Sequence, residues 1–508
     1  MGNAFLFRGE RLSLFCLMVT ARRTPLLFLL FVAATILSPV VVAAVTLVPS
    51  PSLLPQSGFA DEDVGFILFD PTSGDVLEAH RADEPRIPAS TTKVTTMIAA
   101  LKILGADYHF PTTLYVSGEI KNKTLHGNLY LRGGGDPTLT TDDLRTFIWA
   151  LRRANIKRVN GDFVFDQSLL ITLPAINPQQ PVAVSYNPGL SALSVNYNRV
   201  LLRWKHKPSN PAFAASVVSP AEGGAVPINA ISTGLLPRNF DRRIQFLLDG
   251  KDADHWLLSP FLPPQGVVDL PVKTDPGRIT ALLFQMMCRQ RGIDLPLPQP
   301  GVVPAEAREF SIVHSKALSE VAAEVLRYSN NLAAELIGQV ATRTLSERPL
   351  SLAESAATQV QWYQRTFPDT EWQGFFSANH SGLSTATRHS PRQLAAILRY
   401  GWSLPIGTST FPQLLSPPHW EREDEQIRQR VRAKSGTMDY ADGLVGFLTT
   451  TRGRELGFVI LLTDFAKRAE LDATYDVRLT QPQPQARHWT ERAKTFEHAL
   501  VGSWITRY

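Results

Sequence analysis

Two kinds of hydrophobic pattern divide this chain, and they fall in different places. Val64-Gly-Phe-Ile-Leu-Phe-Asp70 and Asp75-Val-Leu-Glu-Ala-His80 flank Pro71-Thr-Ser-Gly74, which predicts a strand, a turn and a strand. Pro88-Ala89-Ser90 then opens a stretch in which Val94, Met97, Ile98, Leu101 and Leu104 recur at steps of three and four, the period of a helix with one buried face. Far downstream, Gly443 to Thr450 and Glu455 to Thr463 are apolar runs around Thr451-Arg-Gly-Arg454, a second hairpin, and a strand beginning near Val431 precedes them. Trp489, Phe496, Leu500 and Trp504 then mark a helical C-terminal segment, Arg487 to Trp504. Two early strands and three late ones predict one antiparallel sheet of about five strands, drawn from both ends of the chain and covered by helices. This is an α+β architecture.

The middle of the chain reads differently. Thr112 to Ser117, Gly127 to Arg132 and Gly161 to Asp166 are short alternating strands with turns between them, and a proline-rich tract runs from Pro174 to Pro188. Residues 108–275 are therefore expected to form an inserted β-rich region of two subdomains. Residues 57–107 and 276–508 form the domain that surrounds it.

Length supports this division, since 508 residues exceed one ordinary core. With 44% hydrophobic and 19% charged residues the composition is globular rather than disordered. An uncharged apolar stretch from Pro25 to Pro49 follows Arg22-Arg23, so residues 1–48 read as a signal peptide or as a membrane anchor. Either implies export, and residues 25–48 are the candidate for any membrane association. Cys16 precedes that stretch and leaves Cys288 as the only cysteine beyond it, so an exported form has no internal disulfide. Arg8, Arg11, Arg22 and Arg23 against Glu10 place +3 of the formal +5 in the leader. The remaining +2 is no footprint for a nucleic-acid partner.

Chemistry enters through three short motifs. Ser90-Thr-Thr-Lys93 puts a lysine one helical turn after a serine, on the same face. A serine hydroxyl is a weak nucleophile until a neighbour takes its proton. Lys93 can do so only as a neutral amine, which requires burial or a nearby positive charge. Ser329-Asn330-Asn331 lies between two helix-like runs, where Ser329 could relay a proton and Asn331 could orient Lys93. Lys434-Ser435-Gly436-Thr437 lies on a predicted strand. There a lysine and hydroxyls suit a carboxylate, Gly436 suits close approach of substrate, and the Ser90 and Thr437 N–H groups suit an oxyanion. Each motif has a bland reading as an exposed helix turn, an Asn-rich turn or a strand end, and Ser194-Val-Asn196 shows how cheaply the middle pattern arises. Gly133-Gly-Gly-Asp136 has no Lys-Ser/Thr after it and reads as a turn rather than a phosphate loop.

The ordered triple is the pattern of penicillin-binding enzymes. The chain resembles the D-alanyl-D-alanine carboxypeptidase/endopeptidase family of class C, low-molecular-mass penicillin-binding proteins (the penicillin-binding protein 4 type). Leu131-Arg-Gly-Gly-Gly-Asp-Pro-Thr-Leu139, Gly161 to Asp166, Ser191 to Asn196 and Ser381-Gly-Leu-Ser384 before Ser390-Pro-Arg-Gln-Leu394 carry the resemblance beyond the triad. It implies a transpeptidase-like domain with a large insertion and an acyl-enzyme on Ser90, with Lys93 as base. Ser329 and Asn331 would be the second-motif pair, and Lys434 to Thr437 the substrate-binding strand. The implied partners are peptidoglycan stem peptides and, as covalent inhibitors, β-lactams; no cofactor or metal is implied. Ser435 stands where the family usually has threonine. Asn177-Pro-Gln-Gln-Pro-Val182 lacks the usual Trp and Asp, and Asn379-His380 replaces Asp-Gly. The rival reading is a catalytically silent wall-binding or scaffold protein of the same fold.

Overall fold

The computed structural model describes residues 50–207, 210–222, 224–250, 253–420, 425–479 and 484–508; the leader expected at 1–48 lies outside them. The sheet drawn from both chain ends is present. Its strands are β1 (Val64–Phe69), β2 (Val76–His80), β3 (Val431–Met438), β4 (Ala441–Thr449) and β5 (Glu455–Thr463). They lie in the order β2-β1-β5-β4-β3, with every pairing antiparallel.

Both faces of this sheet are covered. Successive side chains on a strand point to opposite faces. Ile67 and Phe69 accordingly join one hydrophobic cluster with Val445, Val459 and Leu461, while Phe66 and Leu68 join another with Leu444, Phe458 and Ile460. The first cluster packs under α1 (Thr92–Leu104), α2 (Leu318–Tyr328), α3 (Asn331–Arg343) and α5 (Pro391–Ser403), with Tyr363 of α4 (Leu352–Thr366) beside them. The second packs under α6 (Pro484–Arg507) through Trp489, Phe496, Leu500 and Trp504. Two-sided cover explains why β4 and β5 read as continuous apolar runs rather than alternating ones.

The inserted region is β-rich, but it extends past the boundary expected at 275. One five-stranded sheet joins Pro111–Val116, Leu129–Gly133 and Phe163–Asp166 to Pro298–Pro300 and Arg308–His314. A four-stranded sheet is built on Arg199–Lys207, Asn210–Ser219 and Gln265–Pro271. The helix Pro276–Gln290 buries Ile279, Leu283, Phe284 and Met287 in the insertion's cluster, not beneath the first sheet. Buried residues of these two inserted sheets belong to that single cluster. Residues 276–314, assigned from the sequence to the surrounding domain, therefore pack with the insertion. Cys288 is buried and free. Among the described residues no helix is long and apolar enough to cross a membrane.

Candidate active site

Ser90 sits in a tight turn, Ala89–Thr91, immediately before α1. Ala89 takes a left-handed φ of 46°, an uncommon and strained conformation for a residue with a side chain. Two glycines press on this turn from either side. A methyl on Gly436 of β3 would lie 2.7 Å from Pro88 O and 2.8 Å from Ser90 N, and one on Gly382 would lie 1.9 Å from Ala89 O. Gly436 thus brings the strand against the serine turn itself, a tighter requirement than the approach of substrate expected from the sequence.

Lys93, on the first turn of α1, is fully buried. Its Nζ is 2.9 Å from Ser90 Oγ, 2.7 Å from Asn331 Oδ1 and 2.8 Å from the Ser381 carbonyl oxygen. The last two atoms can only accept. A neutral amine has two N–H donors and one lone pair, so donating to Asn331 and Ser381 directs the lone pair at the Ser90 hydroxyl. Burial, reinforced by the charge of Lys434, holds the Lys93 ammonium well below the usual lysine range, against the opposing pull of Glu335. The desolvation cost wins because the Lys93 side chain is closed to water.

The second motif divides its work between neighbours. Ser329 caps the end of α2 in the left-handed region (φ 58°, ψ 34°), and its N–H bonds Val325 O. Asn330 caps the start of α3 by accepting from Ala333 N at 3.0 Å. Asn331 is then the first residue of α3, and its Nδ2 donates to Tyr186 O at 2.9 Å. Ser329 lines the adjoining cavity with Asn331 and Tyr186. Among the described residues its hydroxyl has no hydrogen bond to Lys93 or Ser90.

Lys434, Ser435, Gly436 and Thr437 follow one another along β3, opposite Val445, Leu444, Gly443 and Asp442 of β4. Lys434 is buried and Ser435 and Thr437 are exposed. Lys434 Nζ donates to Ser435 O at 2.5 Å, and burial lowers its pKa to about 8. Thr437 Oγ1 donates to Asp442 Oδ1 at 2.6 Å. Asp442 is buried, and that burial raises its pKa to about 7.

The model of the D-Ala-D-Ala carboxypeptidase 3 (S13) family matches residues 52–234 and 273–481. The chain belongs to that family. Relatives include D-alanyl-D-alanine carboxypeptidase DacB of Haemophilus influenzae, 24% identical over 437 residues that cover 80% of this chain and 86% of the relative. Another is the D-alanyl-D-alanine carboxypeptidase of Actinomadura sp. (strain R39), 26% identical over 54% of this chain and 53% of its own length. Penicillin-binding protein 4 of H. influenzae, solved in complex with a β-lactam, shares the fold. Its TM-score is 0.69 at 20% identity, covering 90% of this chain and all of that one. The S13 chain is thus a serine-type carboxypeptidase by family, and the α+β architecture with its large insertion is the family fold.

Several groups around this candidate site carry no motif. Glu335, one turn after Asn331, is fully buried and accepts from His380 N at 3.0 Å and Ser381 N at 2.9 Å. Burial raises its pKa. His380, also buried, is placed between Ser355 Oγ (2.7 Å from Nε2) and Gln359 Oε1 (3.1 Å from Nδ1). Burial lowers its pKa to about 3 and keeps the ring neutral. The helical spacing of Asn331 and Glu335 was the one available sign of this support; nothing in the sequence places Ser381 against Lys93. Ser194 and Asn196 lie in the insertion. There Asn196 bonds Thr141 and Ser219, as a structural asparagine does.

Proposed function

We propose that this protein is an exported serine D-Ala-D-Ala carboxypeptidase acting on peptidoglycan stem peptides through an acyl-enzyme on Ser90. The observation that supports it most is the Lys93 amine, whose donors are taken by Asn331 and Ser381 while its third position meets Ser90 Oγ at 2.9 Å. Ser90 Oγ attacks the penultimate D-Ala carbonyl as Lys93 takes its proton. The Ser90 and Thr437 N–H groups receive the oxyanion. Lys434, Ser435 and Thr437 hold the terminal carboxylate. The C–N bond breaks as the proton passes through Ser329 to the leaving D-Ala amine, and water then releases the shortened peptide while the proton returns to Ser90. A β-lactam enters by the same acylation and stays. Cleavage of a D-alanyl cross-link needs only a longer leaving amine, so endopeptidase activity belongs to the same reading. The sequence of steps calls for no cofactor.

The test is covalent labelling with a fluorescent penicillin. Wild-type protein labels and Ser90→Ala does not. An unlabelled wild type, or equal labelling of the two, overturns the proposal. D-Ala release from pentapeptides with and without a cross-link divides carboxypeptidase from endopeptidase action.

A further inference from the structure

Beside the second motif lies a cavity of about 310 Å³, lined by Tyr186, Tyr197, Arg199, Glu324, Tyr328 and Ser329 among others. It adjoins the nucleophile through Asn331, which bonds Tyr186 O on one side and Lys93 on the other. Two features of this cavity are costly to the folded chain and have no use in the steps above.

The first is backbone strain. Asn196, Tyr197 and Asn198 take φ of 49°, 57° and 52° in succession, a left-handed run that residues with side chains avoid. Both asparagines are tied down: Asn196 Nδ2 donates to Thr141 Oγ1 and Ser219 Oγ at 2.7 Å each, and Asn198 Nδ2 to Gly189 O at 2.8 Å and Ser194 Oγ at 2.9 Å. The residue held between them is Tyr197, on the cavity wall. Strain enforced in this way is characteristic of ligand clamps. The second feature is charge. Arg199 Nε is buried with no hydrogen-bond partner among the described residues, and Nη1 is 3.8 Å from Asp269 Oδ2, too long for a hydrogen bond. The opposing acid, Glu324, already accepts from Lys316 Nζ at 2.7 Å. The cavity therefore presents an under-used guanidinium amid tyrosines, one of which, Tyr328, is 67% exposed.

We infer that this cavity is a subsite for a carboxylate carried by the substrate peptide upstream of its D-Ala-D-Ala end, with Arg199 as its anchor and Tyr197 as its wall. A planar carboxylate matches the guanidinium fork. The inference rests on the stem-peptide reading above, so binding and turnover are measured separately. Pentapeptides ending in D-Ala-D-Ala are compared with the same peptides amidated at one or the other upstream carboxylate. Calorimetric binding to Ser90→Ala protein needs no turnover. There the free carboxylate binds about ten- to a hundred-fold more tightly than its amide at the position that reaches Arg199. Adding Arg199→Gln brings that ratio near one, and Arg199→Lys, which keeps the charge, brings it part-way. No preference in the Ser90→Ala protein, or an unchanged preference in both Arg199 variants, overturns the subsite. Loss of penicillin labelling and D-Ala release in otherwise wild-type protein, with the binding preference intact, overturns the enzymatic reading alone.

Discussion

Replacing Gly436 by alanine sets one methyl carbon 2.7 Å from Pro88 O and Thr91 N and 2.8 Å from Ser90 N. All three are backbone atoms, so no side chain can turn aside. Relief to ordinary contact at about 3.4 Å means that β3 and the serine turn part by 3.4 − 2.7, or about 0.7 Å. Overpacking of this kind costs about 1–3 kcal/mol of stability. The larger effect falls on acylation, because β3 carries the Thr437 N–H and Ser90 carries the nucleophile. A misplacement near 1 Å costs roughly 10²-fold in rate, so acylation by a labelled penicillin is expected to slow by roughly 30- to 100-fold. Stopped-flow or gel-based labelling measures this, with thermal unfolding followed on the same samples. Gly502→Ala is the control, since its methyl meets only Ile427 Cδ1 at 3.4 Å, and it should acylate as wild type does. Wild-type acylation by Gly436→Ala would refute the argument that this glycine sets the strand against the nucleophile.

Further expectations concern the groups around Lys93 and the response to pH. Asn331→Ala removes an acceptor from Lys93 and the donor to Tyr186 O; penicillin acylation should fall about 10²-fold, and a drop of less than threefold would contradict the role. Glu335→Gln offers one oxygen to two backbone N–H groups and turns an amide donor toward the other. It should lose about 1–3 kcal/mol in denaturant unfolding and slow acylation through the displaced Ser381 carbonyl. Lys434 has a folded pKa of about 8 against 10.5 when free, so between those values the unfolded chain binds the extra proton. The Lys434 contribution should be full above 10.5 and fall as pH drops toward 8, by roughly 3 kcal/mol at ~1.4 per pH unit; Lys434→Met should reduce the slope in that window, Lys93 and Lys273 supplying the rest. His380 and His389, both held neutral with pKa near 3 by burial, act in the acid range. Stability should decline from about pH 6.5 downward toward pH 3, at up to ~1.4 kcal/mol per pH unit for each ring, and His389→Asn should reduce that slope.

Much of this fold was legible because its signals are local. The hairpins at Pro71–Gly74 and Thr451–Arg454 and the helical period from Val94 to Leu104 each lie within a few residues. The edge of the insertion was not legible. Pro276–Gln290 has a clear apolar face, but periodicity records that a face is buried and not which sheet buries it. Its partners, Phe163 on one inserted strand and Ile293 and Leu295 after it, decide the matter. The buried pair Asp442 and Glu497 was equally silent. Asp442 answers to Thr437 five residues earlier, while Glu497 lies on α6, where burial and then the charge of Asp442 raise its pKa once the sheet has folded.

The same distinction runs through the candidate site. Ser90 and Lys93 are one turn apart, and their meeting follows from helix geometry alone. Asn331 reaches Lys93 across 238 positions and the Ser381 carbonyl across 288, and that carbonyl belongs to the backbone, which any residue at 381 would supply. The sequence can announce a nucleophile and a base by their letters, but a base is made by what it is denied. Lys93 is denied water, and two of its three hydrogen-bond positions face atoms that can only accept. Glu335 sharpens the point. Its charge alone would favour the lysine ammonium and weaken the base, yet it holds the His380 and Ser381 N–H groups. Its place is explained by that backbone: it fixes the Ser381 carbonyl on Lys93 at an electrostatic cost that burial and Lys434 outweigh.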